Sequence, residues 1–318
     1  MSLIDRVLAG AFTPTEIEDF LDGVFARSVD PVVVSGLLIA LRTQAVSGPM
    51  LAAGARVLRR HAVRVHAPDD AIDTCGTGGD GSGTVNISTA AALVVACCGG
   101  IVAKHGNRAV SSRSGSADVL EAFGIPIDLD SESASAAMRR TGFAFLMAPR
   151  FHPAMASVAP IRRALGVRTL FNLLGPLANP ALVRRQIVGV YDPALTRAMC
   201  EALAELGSER ALVVSCAGLD EIGLHADTTG HELRGGEIVA FRHPGRGIAL
   251  AELAGGDAAH NAKLLTTALQ GGEGAIGLAI AVNAGAALWV AGLADSMAEG
   301  EERARAAMRM GVDIGRFR

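Results

Sequence analysis

Hydrophobic and polar positions change rhythm along the chain. Up to about residue 66 the apolar residues recur at helical spacing. Thr13-Pro14-Thr15-Glu16 joins a capping box to a proline at the first helical position, and Ile17, Phe20, Leu21, Val24 and Phe25 follow on one face. Asp30-Pro31 opens a second helix with Val34, Leu37, Leu38 and Leu41 on one side. After Ser47-Gly48-Pro49 a third carries Met50, Ala53, Val57 and Leu58. Three short helices bury little by themselves, so they are expected to pack against the rest of the chain or against a second copy of it.

From about residue 70 short apolar runs alternate with helical stretches. Strands are predicted near 71–73, 101–103, 125–127 and 143–147, and helices over 87–98, 116–123 and 133–140. Residues 87–98 are apolar almost all round, which predicts a buried helix. Residues 150–180 interrupt the alternation with a helical, proline-punctuated segment holding four arginines. Strands resume at 186–190 and 211–215, with a helix between them capped near Asp192-Pro193. A hairpin is expected over 230–242 around Gly235-Gly236, and 257–310 reads as helices. The pattern predicts a small all-helical N-terminal domain (1–66, joined by part of 155–180) and a larger α/β domain (67–318) with a largely parallel central sheet.

Composition narrows this picture. A chain of 318 residues suits one large domain and one smaller one. Half of the residues are hydrophobic but only 4% are aromatic, so the core must be Ala, Val, Leu and Ile. A net charge of −3 gives no general attraction to nucleic acid or to an anionic membrane, and any anion site must be local. Five cysteines without CxxC spacing read as reduced thiols of a cytoplasmic protein. The N-terminus lacks the basic stretch and long apolar run of a secretory signal. Residues 275–294 contain no charge and are long enough to span a bilayer. Asn283 and the interspersed glycines favour a buried helix instead, so no membrane partner is expected.

Three stretches carry candidate chemistry. Gly76-Thr77-Gly78-Gly79-Asp80 follows a strand and leads to Asn86-Ile87-Ser88-Thr89 at the start of a helix. Glycines let backbone N–H groups converge on an anion, and a helix N-terminus adds more. An ordinary tight turn has the same composition, and the spacing is neither the dinucleotide fingerprint nor a Walker loop. The second stretch runs from Lys104-His105-Gly106-Asn107-Arg108 through Ala109, Val110, Ser111 and Ser112 to Arg113 and Ser116. Cations and hydroxyls after a strand suit a phosphate or pyrophosphate, as they would a solvated basic loop. The third is Asp220-Glu221, adjacent carboxylates beyond a strand end. They suit Mg²⁺ shared with substrate phosphates, or form a surface acidic pair.

Taken together, GTGGD (76–80), NIST (86–89), KHGNRAVSSRSGSADVLEAFG (104–124), HPAM with the arginine-rich run after it (152–168), FNLLGPLANP (171–180) and GLDE (218–221) resemble the anthranilate phosphoribosyltransferase family over nearly the whole length. The resemblance implies transfer of the 5-phosphoribosyl group of phosphoribosyl pyrophosphate (PRPP) to anthranilate. It implies that Gly76, Gly79, Asp80, Thr84, Asn86, Ile87, Ser88, Thr89, residues 104–112 and Ser116 contact PRPP. Gly76, Asn107 and Arg162 would then meet anthranilate, and Ser88, Asp220 and Glu221 would hold Mg²⁺. It further implies a homodimer through the helical domain. The chemistry requires no covalent nucleophile, and His105 is a candidate acceptor for the amine proton. Ser215-Cys216-Ala217 departs from the histidine-glycine pair that commonly precedes GLDE in the family. Two other activities stand beside this one: a pyrimidine nucleoside phosphorylase-like enzyme using inorganic phosphate, and a non-catalytic relative that binds nucleic acid.

Overall fold

The computed structural model describes residues 1–109, 113–271 and 273–318. The N-terminal helices are four: α1 (Leu3–Leu8), α2 (Pro14–Phe25), α3 (Pro31–Arg42) and α4 (Gly48–Arg60). The last three match the predicted set. At six residues α1 is too short to show periodicity, but Ser2 and Asp5 close a capping box at its start. The other three begin at Thr13, Asp30 and Ser47, each accepting a main-chain N–H of the first turn.

The α/β portion follows with β1 (Ile72–Gly76), α5 (Ile87–Cys97), β2 (Val102–Gly106), α6 (Ser116–Ala122), α7 (Ser131–Thr141) and β3 (Phe143–Met147). Short helices α8 (Ala148–Phe151), α9 (Ala159–Leu165) and α10 (Phe171–Leu174), with a 3₁₀ turn at Pro153–Ser157, fill the proline-punctuated segment. Then come β4 (Arg185–Gly189), α11 (Leu195–Glu205), β5 (Arg210–Ser215), the hairpin β6 (Thr228–Arg234) and β7 (Glu237–His243), and helices α12 (Ala258–Leu269), α13 (Ala275–Ala291) and α14 (Met297–Met310). The strand expected at 125–127 does not form. Ile125 and Ile127 are buried in the core, and Pro126 between them brings no N–H to a ladder.

Among the described residues seven strands make one sheet in the order β3-β2-β1-β4-β5-β6-β7, parallel from β3 to β5 and antiparallel at β6 and β7. Alternating side chains feed two cores. Ile187, Leu212 and Val214 join α5, α12, α13 and α14 on one face, whereas Val188, Ala211 and Val213 join α11 on the other. That second core runs on without a break into α2, α3, α4 and α10. The N-terminal helices therefore share their core with the sheet, the first of the two packings expected for them. A third, smaller cluster lies between α7 and strands β2 and β3. Among the described residues no helix is long and apolar enough to cross a membrane, and α13 is buried against α5 and α14.

Candidate active site

Chain connections leave in opposite directions on either side of the β1–β4 pair. Loops diverge at such a switch point and open a crevice at the carboxyl ends of the strands. Gly76 ends β1, Gly189 ends β4, and the two are Cα partners. Their missing side chains let the 216–227 loop settle on the strand ends. A Cβ on Gly189 would lie 1.6 Å from the Asp220 carbonyl oxygen, and one on Gly76 would lie 2.2 Å from Asp220 Oδ2.

Asp220 and Glu221 thereby face the glycine loop and the start of α5. Asp220 Oδ2 accepts the Gly78 N–H at 2.7 Å, and Glu221 Oε1 accepts the Ser88 N–H at 2.9 Å. Asp80 stands beside them, its Oδ2 3.5 Å from the Asp220 nitrogen and its Oδ1 accepting the Ser82 N–H at 3.1 Å. Burial pushes both Asp220 and Glu221 up. Repulsion from Asp80 adds to this at Asp220, and repulsion from Asp220 adds to it at Glu221. Carboxylates so short of countercharge suit a cation. Among the described residues no three His, Cys, Asp or Glu side chains group to hold a metal by themselves. Hard-oxygen donors that leave most positions open fit Mg²⁺ completed by phosphate oxygens and water.

Gly78, Gly79, Gly81 and Gly83 all have positive φ, so the loop's path depends on glycine. It returns to the fold where Thr84 bridges to Ala254, with the Ser82 and Thr84 hydroxyls 3.2 Å apart. Asn86 starts α5 without capping it by its side chain. Instead its Nδ2 donates to the Ser114 carbonyl at 3.2 Å, and its Oδ1 accepts from Asn261 Nδ2 at 3.0 Å. The start of α5, the 104–116 loop and α12 are thus tied together. Ile87 and Thr89 are buried, leaving their main-chain amides as what they can offer a ligand.

Two of the cations expected on the second loop, Lys104 and Arg108, are engaged within the protein. Lys104 is buried, donates to the Thr74 carbonyl and supplies positive charge to Asp73 and Glu221. Arg108 pairs with Glu121 through both terminal nitrogens, at 2.8 and 3.0 Å, and with Asp118 at 3.0 Å. Asp118 Oδ2 also accepts the N–H groups of Ala109 and Gly115, closing the loop on itself. Ser116 Oγ donates to the Asn107 carbonyl at 3.2 Å, and a Cβ on Gly106 would strike that hydroxyl at 2.4 Å. Val110, Ser111 and Ser112 lie outside the described residues. His105 is buried, with Nδ1 3.1 Å from the Gly175 carbonyl and its ring 5.0 Å from that of His152. Burial pushes it down to about 3.

The α9–α10 segment covers the glycine loop. Arg168 donates to the Gly79 carbonyl while stacking 3.8 Å over Tyr191. Arg162 on α9 is half-buried, lies 5.4 Å from the Phe171 ring centroid, and among the described residues has no ion pair.

The glycosyl transferase family a/b-domain model matches residues 68–313, and its helical bundle domain matches residues 2–62. The anthranilate phosphoribosyltransferase of Rubrobacter xylanophilus is 46% identical over 94% of this chain and 90% of its own. The chain belongs to the anthranilate phosphoribosyltransferase family. A crystal structure of the Thermus thermophilus enzyme superposes with a TM-score of 0.90 at 41% identity, covering 98% of this chain and 95% of that one. The Saccharomyces cerevisiae enzyme in complex with PRPP and Mg superposes with a TM-score of 0.88 at 27% identity, covering 99% and 94%.

Within this family member, several residues that shape the site escaped the sequence reading. Asp73, fully buried, accepts the His105 N–H at 3.2 Å and Asn179 Nδ2 at 2.8 Å, and Asn179 also donates to the Ala103 carbonyl. They fix the end of β2 from beneath. A glycine inside an apolar strand signals close backbone approach, and Gly189 carried that signal. Asp118 and Arg168 act through contacts that only the folded chain reveals. Before the acidic pair, Cys216 and Leu219 close a turn by exchanging N–H···O bonds at 3.0 and 2.9 Å. The turn holds Ala217 at φ +47°.

Proposed function

We propose that this protein transfers the 5-phosphoribosyl group of PRPP to the amine of anthranilate, releasing pyrophosphate, as a step of tryptophan biosynthesis. Three features meeting at one switch point carry the assignment: a glycine loop, a helix N-terminus and two under-neutralised carboxylates. In the reaction the bond from the sugar's anomeric carbon to pyrophosphate breaks, a carbon–nitrogen bond forms, and the amine gives up one proton to the departing pyrophosphate or to water. An aromatic amine is a weak nucleophile, so bond breaking must run ahead of attack. The protein's task is then to stabilise the departing pyrophosphate and to orient two substrates.

Donor oxygens are received at Gly76, Gly79, Asp80 and Thr84 and at residues 86–89, with Asn107 and Ser116 on the facing loop, while the Gly78 and Ser88 N–H groups hold Asp220 and Glu221 in place. Ser88, Asp220 and Glu221 would hold Mg²⁺, which when bound neutralises charge on the pyrophosphate. Lys104 sits behind Glu221 and balances buried negative charge rather than touching the donor. Arg162, free of any ion pair among the described residues, receives the anthranilate carboxylate in a charge-assisted pair, and Gly76 and Asn107 complete that side. His105 is not the proton acceptor in this arrangement. Its Nδ1 faces the Gly175 carbonyl, its Nε2 is enclosed, and burial disfavours its protonated form.

A second proposal, independent of the substrates, is a homodimer through the helical domain of a cytoplasmic enzyme. Leu8 on α1 and Val32, Val33 and Ile39 on α3 are exposed, and these two helices pack together. Titration calorimetry of PRPP into the protein tests the site. Binding should be tight with Mg²⁺ and collapse with a chelator; equal binding under both conditions would refute the metal's place in it.

A further inference from the structure

Helix α13 reads as an unbroken apolar rod, and Asn283 is its one amide, hydroxyl or charged side chain. Asn283 is buried. Its Nδ2 donates to the Ala279 carbonyl one turn back at 2.9 Å, which uses one of its two amide protons and leaves the other proton and Oδ1 to be satisfied outside the helix. Oδ1 accepts the Ile222 N–H at 3.0 Å, and Nδ2 donates to the Ile222 carbonyl at 2.9 Å. One side chain thus grips both main-chain polar groups of the residue next to Glu221.

That grip matters because the 216–227 loop has no helix or strand of its own. Up to the acidic pair it is anchored by the turn between Cys216 and Leu219, the Asp220 bond to Gly78 and the Glu221 bond to Ser88. Past the pair, the Gly223 N–H donates to Thr228 Oγ1 and the Leu224 carbonyl accepts the Arg246 N–H. Neither of these holds Ile222 itself. Asn283 also borders, with Thr74, Ser88 and Glu221, a void of about 10 Å³ beneath the site. The amide and the carboxylate therefore line one small space, together with Ala91, Ile187 and Val214.

We propose that Asn283 is a positioning residue for the Asp220–Glu221 pair, setting where the two carboxylates would present their oxygens to the Mg²⁺ that accompanies the donor. This rests on the functional reading above. Two variants test it. Asn283→Leu keeps the branched outline of the side chain, at a somewhat larger volume, and removes both bonds to Ile222. Asn283→Asp keeps an acceptor for the Ile222 N–H and sets a carboxylate against the Ile222 carbonyl. Binding of Mn²⁺ to the protein in the presence of pyrophosphate, read by electron paramagnetic resonance, reports on the site without turnover. Partners behind metal ligands typically change metal affinity by about 10–100-fold, and a weakening of that size is expected in both variants. The KM for PRPP should rise in parallel, while the anthranilate KM stays unchanged. If Asn283→Leu fails to fold, Asn283→Asp carries the test. Unchanged Mn²⁺ affinity with a lowered melting temperature would overturn the proposal and leave Asn283 a packing residue. Wild-type protein that bound no Mn²⁺ with pyrophosphate would overturn the functional reading, and this role with it.

Discussion

Replacing Gly189 by alanine adds one methyl group, yet it strikes the centre of the site. The new Cβ would lie 1.6 Å from the Asp220 carbonyl oxygen and 2.3 Å from its carbon. Ordinary contact needs roughly 3.5 Å, so the two must separate by about 2 Å. Both strand neighbours of Gly189 are paired along their length, with β1 on one side and β5 on the other. The strand cannot yield, and the loop carrying Asp220 and Glu221 must. Overpacking of this kind destabilises by about 1–3 kcal/mol. A displacement of even 1 Å in positioned groups can lower a rate by about 100-fold. The variant is therefore expected to fold, to lose Mg²⁺-dependent PRPP binding and turnover by at least about 100-fold, and to keep its anthranilate KM. Calorimetry and steady-state kinetics read these effects, and denaturant unfolding reads the loss of stability. Wild-type PRPP binding in Gly189→Ala would refute the argument that the paired glycines seat the acidic loop.

Other outcomes follow from separate parts of the structure. Arg162→Ala should raise the anthranilate KM about 10–100-fold, as expected for loss of a charge-assisted pair, with the PRPP KM nearly constant; an unchanged anthranilate KM would sink that assignment. His152 is buried and pushed down from its ordinary value to about 4. The unfolded chain takes up that proton first, so the histidine's contribution is intact above pH 6.5 and is lost as pH falls toward 4. Between pH 7 and pH 5 the wild type should lose about 2 kcal/mol more unfolding free energy than His152→Gln, and parallel profiles would contradict this. Ala217 occupies the left-handed region at φ +47°, which a Cβ disfavours by roughly 1–2 kcal/mol. Ala217→Gly should stabilise the protein by up to about 1 kcal/mol once glycine's extra unfolded-state freedom is subtracted, and a loss of stability would show that the turn is not strained.

How much of this could be read from the residues depended on how local each signal was. Helix starts such as Thr13-Pro14-Thr15-Glu16 and the hairpin at Gly235-Gly236 are written within a few neighbours, and they appear where expected. Ile125-Pro126-Ile127 misled because two β-branched residues look like a strand wherever they are buried, and only the neighbouring chain decides whether a ladder exists. In the candidate site, the glycine loop and the start of α5 were visible because strand, loop and helix are contiguous. The engagement of Lys104 by Thr74 and of Arg108 by Asp118 and Glu121 was not, since a cation reads the same whether free or paired. Asn283 stood out against its apolar helix, but its partner Ile222 is 61 residues away. No pattern along the chain links the two.

The most direct measurement is the fluorescence of anthranilate when PRPP is added to the protein, followed together with pyrophosphate release. With Mg²⁺ present, anthranilate emission should fall in step with one pyrophosphate released per anthranilate consumed, and a chelator should stop both. Stable anthranilate fluorescence under these conditions, or phosphate-dependent cleavage of a pyrimidine nucleoside by the same preparation, would contradict the assignment.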